Sequence, residues 1–85
     1  MELQELRNEI DKIDEQLIRL FGERMDISVK VAEYKKKHDL PINDPIREKE
    51  ILDKLSAKVN SERKEALIKL YSLLFELSKA EQEKS

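Results

Sequence analysis

The sequence predicts an all-α protein of three helices, and three observations carry that prediction. Apolar residues step by three and four along the first part of the chain, the spacing of one helical face. The two prolines, Pro41 and Pro45, lie close together, and the single glycine is Gly22, so one region alone breaks the early helical period. The composition, 42% charged and 5% aromatic with no Cys or Trp, is that of a helical protein rich in Leu, Ile, Lys and Glu. No period-two alternation marks a strand, and no segment repeats.

The first helix is expected over residues 3 to about 38. Leu3, Leu6, Ile10, Ile13, Leu17 and Leu20 form one apolar seam. The next seam position is Arg24, after which Ile27 and Val31 resume the stripe, with Lys35 on the same side. Pro41 and Pro45 end this pattern. Asp44 before Pro45 is an N-cap followed by proline at the first helical position, which starts a second helix over about 45–58. Its inward residues are expected to be Ile51, Leu52, Leu55 and Val59. Asn60 and Ser61 offer the next capping point, for a third helix over about 62–83 with Leu67, Leu70, Tyr71, Leu74 and Leu77 inward.

Eighty-five residues allow one domain, residues 1–85, with a small core. The first helix spans roughly 54 Å at its ordinary rise, whereas a compact chain of this length has a radius of gyration of about 12 Å. Two shorter helices cannot cover such a seam, so the expected assembly is an intertwined two-fold homodimer. A plain coiled coil is the competing architecture. The proline-bounded loop and two further amphipathic helices argue against it.

Several function classes drop out. A net charge of −2 with interspersed signs gives no basic field for nucleic acid. No apolar run approaches membrane-spanning length. Glu2, Glu5 and Arg7 interrupt any signal-peptide pattern, and the absence of cysteine fits a reducing, cytoplasmic setting. No His, Cys or carboxylate cluster has metal-ligand spacing, and neither a Gly-rich phosphate loop nor a Ser/His/Asp set occurs. His38, the single histidine, reads as a solvated loop residue. No metal or cofactor is expected.

What stands out is polarity on apolar faces. A guanidinium in a seam costs several kcal/mol (about 3–5 for a buried charge left unpaired). Nothing acidic lies on the same face near Arg24, so the gap in the stripe reads as a pocket for an anion. Arg24 and Lys35 are eleven residues apart and differ by about 20° around the helix, so both can point into one cavity. Glu48 precedes Ile51 and Leu52 on the inward side of the second helix. Ser78 and Gln82 continue the stripe of the third. Each has an ordinary alternative: a lysine satisfying a helix C-terminus, a glutamate favoured by a helix N-terminus, Ser and Gln at a fraying end. Arg7 is about 25 Å along the axis from Arg24. A small ligand cannot touch both within one chain, but Arg7 can reach the cavity of a two-fold partner.

With these residues in view, the chain resembles the all-helical chorismate mutases over nearly its whole length. The matching segments are L-R-N-E-I-D-K-I-D at 6–14, E-R at 23–24, V-A-E-Y-K at 31–35, P-I-N-D-P-I-R-E at 41–48 and L-Y-S-L-L-F-E-L-S-K-A-E-Q at 70–82. The resemblance implies three helices per chain, an intertwined homodimer with two shared sites, and conversion of chorismate to prephenate by a [3,3] pericyclic rearrangement in phenylalanine and tyrosine biosynthesis, with no cofactor. It further implies that Arg24 and the partner's Arg7 hold the two carboxylates of chorismate. Lys35 and Gln82 would bond the ether oxygen, and Glu48 with the backbone near Asp44 would position the ring hydroxyl. Ser78 would assist a carboxylate, and Arg47 would complete the charged lining. The helix-two to helix-three connection looks about two residues shorter than in some relatives. An isochorismate pyruvate lyase, which is similar in fold and binds a similar dianion, and a non-catalytic regulatory helical module are the alternatives.

Overall fold

In the computed structural model of the protein, which describes residues 2–84, the chain folds as three helices: α1, Leu3–Lys37; α2, Pro45–Ser56; and α3, Ser61–Glu83. The described residues form no strand. The boundaries follow from local chemistry. Asp44 caps α2, its carboxylate accepting from the Arg47 amide at 3.1 Å, and Pro45 opens the first turn where its missing N–H costs nothing. Asn60 caps α3 in the same way, accepting from the Arg63 amide at 3.0 Å. α1 ends where Asp39 takes a left-handed conformation, φ 52°, a place usually given to glycine or asparagine. The amides of His38 and Leu40 then close on the carbonyls of Tyr34 and Lys35, and Lys35, Lys36 and Lys37 complement the negative end of the helix dipole.

α3 is the centre of the chain and packs on both other helices. It runs parallel to the second half of α1, since Arg24 meets Ser78 and Ser28 meets Gln82 at the same sequence offset. It runs antiparallel to α2, with Glu48 beside Lys79 at one end and Ser56 and Ala57 near Lys64 at the other. The buried apolar residues are few: Met25 and Ala32 of α1 and Phe75 of α3. Ala32, with no side chain beyond Cβ, lets α3 come close.

The first half of α1 lies outside this arrangement. Every residue from Glu2 to Glu23 is exposed. The seam leucines and isoleucines of this arm keep 41–61% of their surface. The radius of gyration is 16.0 Å and the molecule extends 54 × 27 × 15 Å, against about 12 Å expected of a compact chain this size.

The third helix departs from expectation on one point. Leu67, Tyr71 and Leu74 turn toward the other helices, but Leu70 and Leu77 are 52% and 40% exposed and, with Leu73, form a second ridge facing outward. Phe75 takes the inward place instead. α3 is apolar on two sides, and the spacing of its leucines does not say which side its own chain covers. In α2, Ile51, Leu52 and Leu55 are half-buried, as is Val59 in the turn beyond.

Candidate active site

Where α1 and α3 run side by side, the N-terminus of α2 lies over them and forms an open-sided cavity of about 310 Å³. α1 contributes Arg24, Ser28, Val31 and Lys35. The start of α2 contributes Asp44, Arg47, Glu48 and Ile51. α3 contributes Phe75, Ser78, Lys79 and Gln82, and Ile42 of the α1–α2 connection completes the wall. Seven of the eight residues singled out from the sequence therefore meet in one place. The eighth, Arg7, stands on the exposed arm of its own chain.

Arg24 is half-buried, and its Nη1 donates to the Ser78 hydroxyl at 2.6 Å. The guanidinium carbon lies 6.0 Å and 5.9 Å from the ring centroids of Tyr71 and Phe75, near the outer limit of a cation–π contact. Among the described residues no carboxylate pairs with it. The structure thus holds a partly desolvated cation in place and leaves its charge uncompensated. Lys35 is also half-buried, and its ammonium donates to the Ile42 carbonyl at 3.1 Å, which bends the connection over the cavity. An ammonium has two further donors.

Gln82 and Ser78 are buried rather than frayed. Gln82 Nε2 donates to the Ser28 carbonyl at 3.1 Å. Because a carbonyl only accepts, this contact fixes the amide's orientation and leaves the second Nε2 hydrogen free. The Ser28 hydroxyl donates to the Arg24 carbonyl one turn back, so Ser28 is occupied within α1. The Asp44 carboxylate is engaged as the α2 cap. Arg47 is the most open member, its guanidinium 3.5 Å from the Glu50 carboxylate. His38 is exposed and stacks on Tyr34 with ring centroids 4.2 Å apart, away from the cavity.

One charged lining residue was not singled out from the sequence. Lys79 of α3 pairs with Glu48 of α2 at 2.9 Å. Lys79 sits off the apolar stripe, one residue after Ser78, and looks like any surface lysine until α2 is laid beside it.

The cavity's own side chains comprise four cations against two carboxylates. Fold and pocket together define a three-helix chain with a net-cationic cavity of small-metabolite size, suited to a dianion. The comparisons make this specific. A family model described as chorismate mutase type II matches residues 6–83. The bifunctional chorismate mutase/prephenate dehydratase of Aquifex aeolicus is 43% identical over 76 residues, which cover 82% of this chain and 21% of that protein. The chorismate mutase of Methanocaldococcus jannaschii is 39% identical over 80 residues, covering 92% of this chain and 81% of that protein. The solved structure of a chorismate mutase from Thermus thermophilus superposes with a TM-score of 0.84 at 31% identity, over 89% of this chain and 96% of that one. The chain belongs to the chorismate mutase type II family, whose activity is an isomerisation. It spans about a fifth of the bifunctional relative and most of the monofunctional one.

Proposed function

We propose that the chain, as one domain, converts chorismate to prephenate in the cytoplasm, working as a homodimer with two shared sites. The observation that carries this reading is Arg24, a half-buried guanidinium with no carboxylate partner among the described residues, lining the same cavity as Lys35. The reaction is intramolecular and needs neither proton transfer nor a covalent intermediate. The protein's work is to hold the reactive chair-like conformer and to stabilise the charge that develops as the ether bond breaks. Arg24, steadied by Ser78, takes one substrate carboxylate, and Arg7 of the partner subunit takes the other. Lys35 and the free hydrogen of Gln82 Nε2 meet the ether oxygen. Glu48 accepts from the ring hydroxyl, and Arg47 adds positive charge at the open side. Acceleration of about 10⁶ requires ~8 kcal/mol of differential stabilisation, within the range of a preorganised cation and amide aimed at the developing charge. Incubation with chorismate should yield prephenate. Release of salicylate and pyruvate from isochorismate, with chorismate untouched, would instead make the chain a lyase.

The dimer reading rests on the two uncovered apolar surfaces, the arm of α1 and the Leu70–Leu73–Leu77 ridge of α3. A second copy covers both at once. Sedimentation equilibrium at micromolar concentration should give twice the chain mass of 10.1 kDa. An active species at the single-chain mass would rule the shared site out.

Gln82 gives a prediction with a pH signature. A glutamate at this place donates only when protonated, and an ionised carboxylate would face both the Ser28 carbonyl and the developing negative charge. Burial and the carbonyl disfavour the anion, while Lys35 and Lys79 in the same cavity favour it. The active form is the protonated one in either case. Gln82→Glu should therefore fold normally and lose activity as pH rises through the ionisation of the new carboxyl, whereas the parent keeps its amide donor throughout. A variant profile as flat as the parent's from about pH 4 to 8, a range spanning ordinary and raised carboxyl values, would show that this side chain does not meet the reacting oxygen.

A further inference from the structure

The Lys79–Glu48 pair differs from every other ion pair among the described residues. The others join neighbours three or four apart along one helix or its C-cap, with side chains mostly well exposed. This one joins α3 to α2, and its side chains are 35% and 28% exposed. Both members line the cavity.

A lone carboxylate is a poor choice for a pocket that must admit a dianion. Each substrate carboxylate would meet Glu48 as a like charge. Lys79 Nζ lies 2.9 Å from Glu48 Oε2 and offsets that charge, leaving Oε1 to accept a hydrogen bond. The pair also decides what sort of donor Glu48 can receive. A neutral hydroxyl is accepted by a carboxylate already neutralised by a lysine. An ammonium in the same place gains little from such a carboxylate and is repelled by Lys79. With Lys79 gone the preference inverts, because a free carboxylate pairs directly with an ammonium.

We propose that Lys79 is a positioning and specificity-determining residue: as the counter-ion of Glu48, it tunes the cavity to a substrate with a neutral ring hydroxyl and against one with a cationic ring substituent. This inference rests on the chorismate reading above, in which Glu48 receives the ring hydroxyl.

The test uses chorismate and its analogue with an amine in place of the ring hydroxyl, measured as kcat/KM on the full chain with folding checked by circular dichroism. Lys79→Met, which keeps length and removes charge, should lower kcat/KM for chorismate about tenfold, chiefly through KM, and raise the amine-to-hydroxyl preference by about tenfold or more. Lys79→Arg, which keeps the charge, should keep the parent's preference. In a Glu48→Gln background, Lys79→Met should leave the preference nearly unchanged, because the charge it balanced is already gone. A preference that does not move in Lys79→Met, or that moves equally in both backgrounds, overturns the proposal while leaving the mutase reading intact. A parent chain that leaves chorismate unchanged overturns the mutase reading, and this inference with it.

Discussion

Replacing Lys35 by alanine should lower kcat by about 10³-fold while KM changes little. Removing one preorganised donor from a developing oxyanion already costs about 10²–10³ in kcat, and Lys35 supplies full positive charge. The ammonium is half-buried and anchored to the Ile42 carbonyl at 3.1 Å, so its position is set before substrate arrives. In the proposed site its effect would fall on the transition state, where the ether oxygen gains charge, more than on the ground state. The loss corresponds to about 4 kcal/mol. Because the substitution also releases the α1–α2 connection, the variant's helix content should be compared with the parent's. Steady-state kinetics showing a large rise in KM with kcat within about threefold would mean that Lys35 binds substrate without acting on the bond being broken.

Mixing two inactive variants should restore activity. On the proposed reading of a shared site, Arg7→Ala and Arg24→Ala should each leave the homodimer nearly inactive, since each would remove a partner of one substrate carboxylate from both sites. In the mixed dimer, one site combines an intact Arg24 with an intact Arg7 from the other chain, and the second site lacks both. After complete exchange at equal amounts, about a quarter of the parent's activity should return, because half the dimers are mixed and each has one working site. Exchange must be verified independently, for example with chains of distinguishable mass. Verified exchange without recovery would place Arg7 outside the partner's site. The roughly 25 Å along α1 between Arg7 and Arg24 rules out the alternative in which both act from one chain.

The parts of the molecule that were legible in the sequence are those set by local rules. Asp44-Pro45 and Asn60 mark helix starts because capping is decided within a few residues, and both carboxylate and amide cap as expected. Arg24, Lys35, Ser78 and Gln82 could be picked out because each interrupts an apolar stripe, and the structure brings all four to one cavity. The resemblance to a family supplied what spacing left open, namely that Glu48 faces that cavity and that Ser78 and Gln82 are not fraying ends. Lys79 was invisible because its meaning is tertiary. It interrupts no stripe, and only the antiparallel placement of α2 brings it to Glu48. The outward turn of Leu70 and Leu77 was invisible for a related reason. A leucine on a two-sided helix carries no label saying which neighbour it awaits.

The uncovered arm of α1 also bears on how the protein comes into being. A helix segment without tertiary contact has only its intrinsic propensity to hold it, and in water that is marginal. From Glu2 to Glu23 every residue of this chain is exposed, and the i,i+4 pairs Gln4–Asn8 and Arg19–Glu23 add only a few tenths of a kcal/mol each. On the dimer reading, the arm becomes firm only when another chain lies against it, so maturation is an encounter and its rate goes as the square of chain concentration. A newly made chain in a cell holding few others would wait, with its apolar ridge exposed to chaperones and proteases. The abundance of the protein would thus act as a threshold on its own activity, set by the geometry of a single helix.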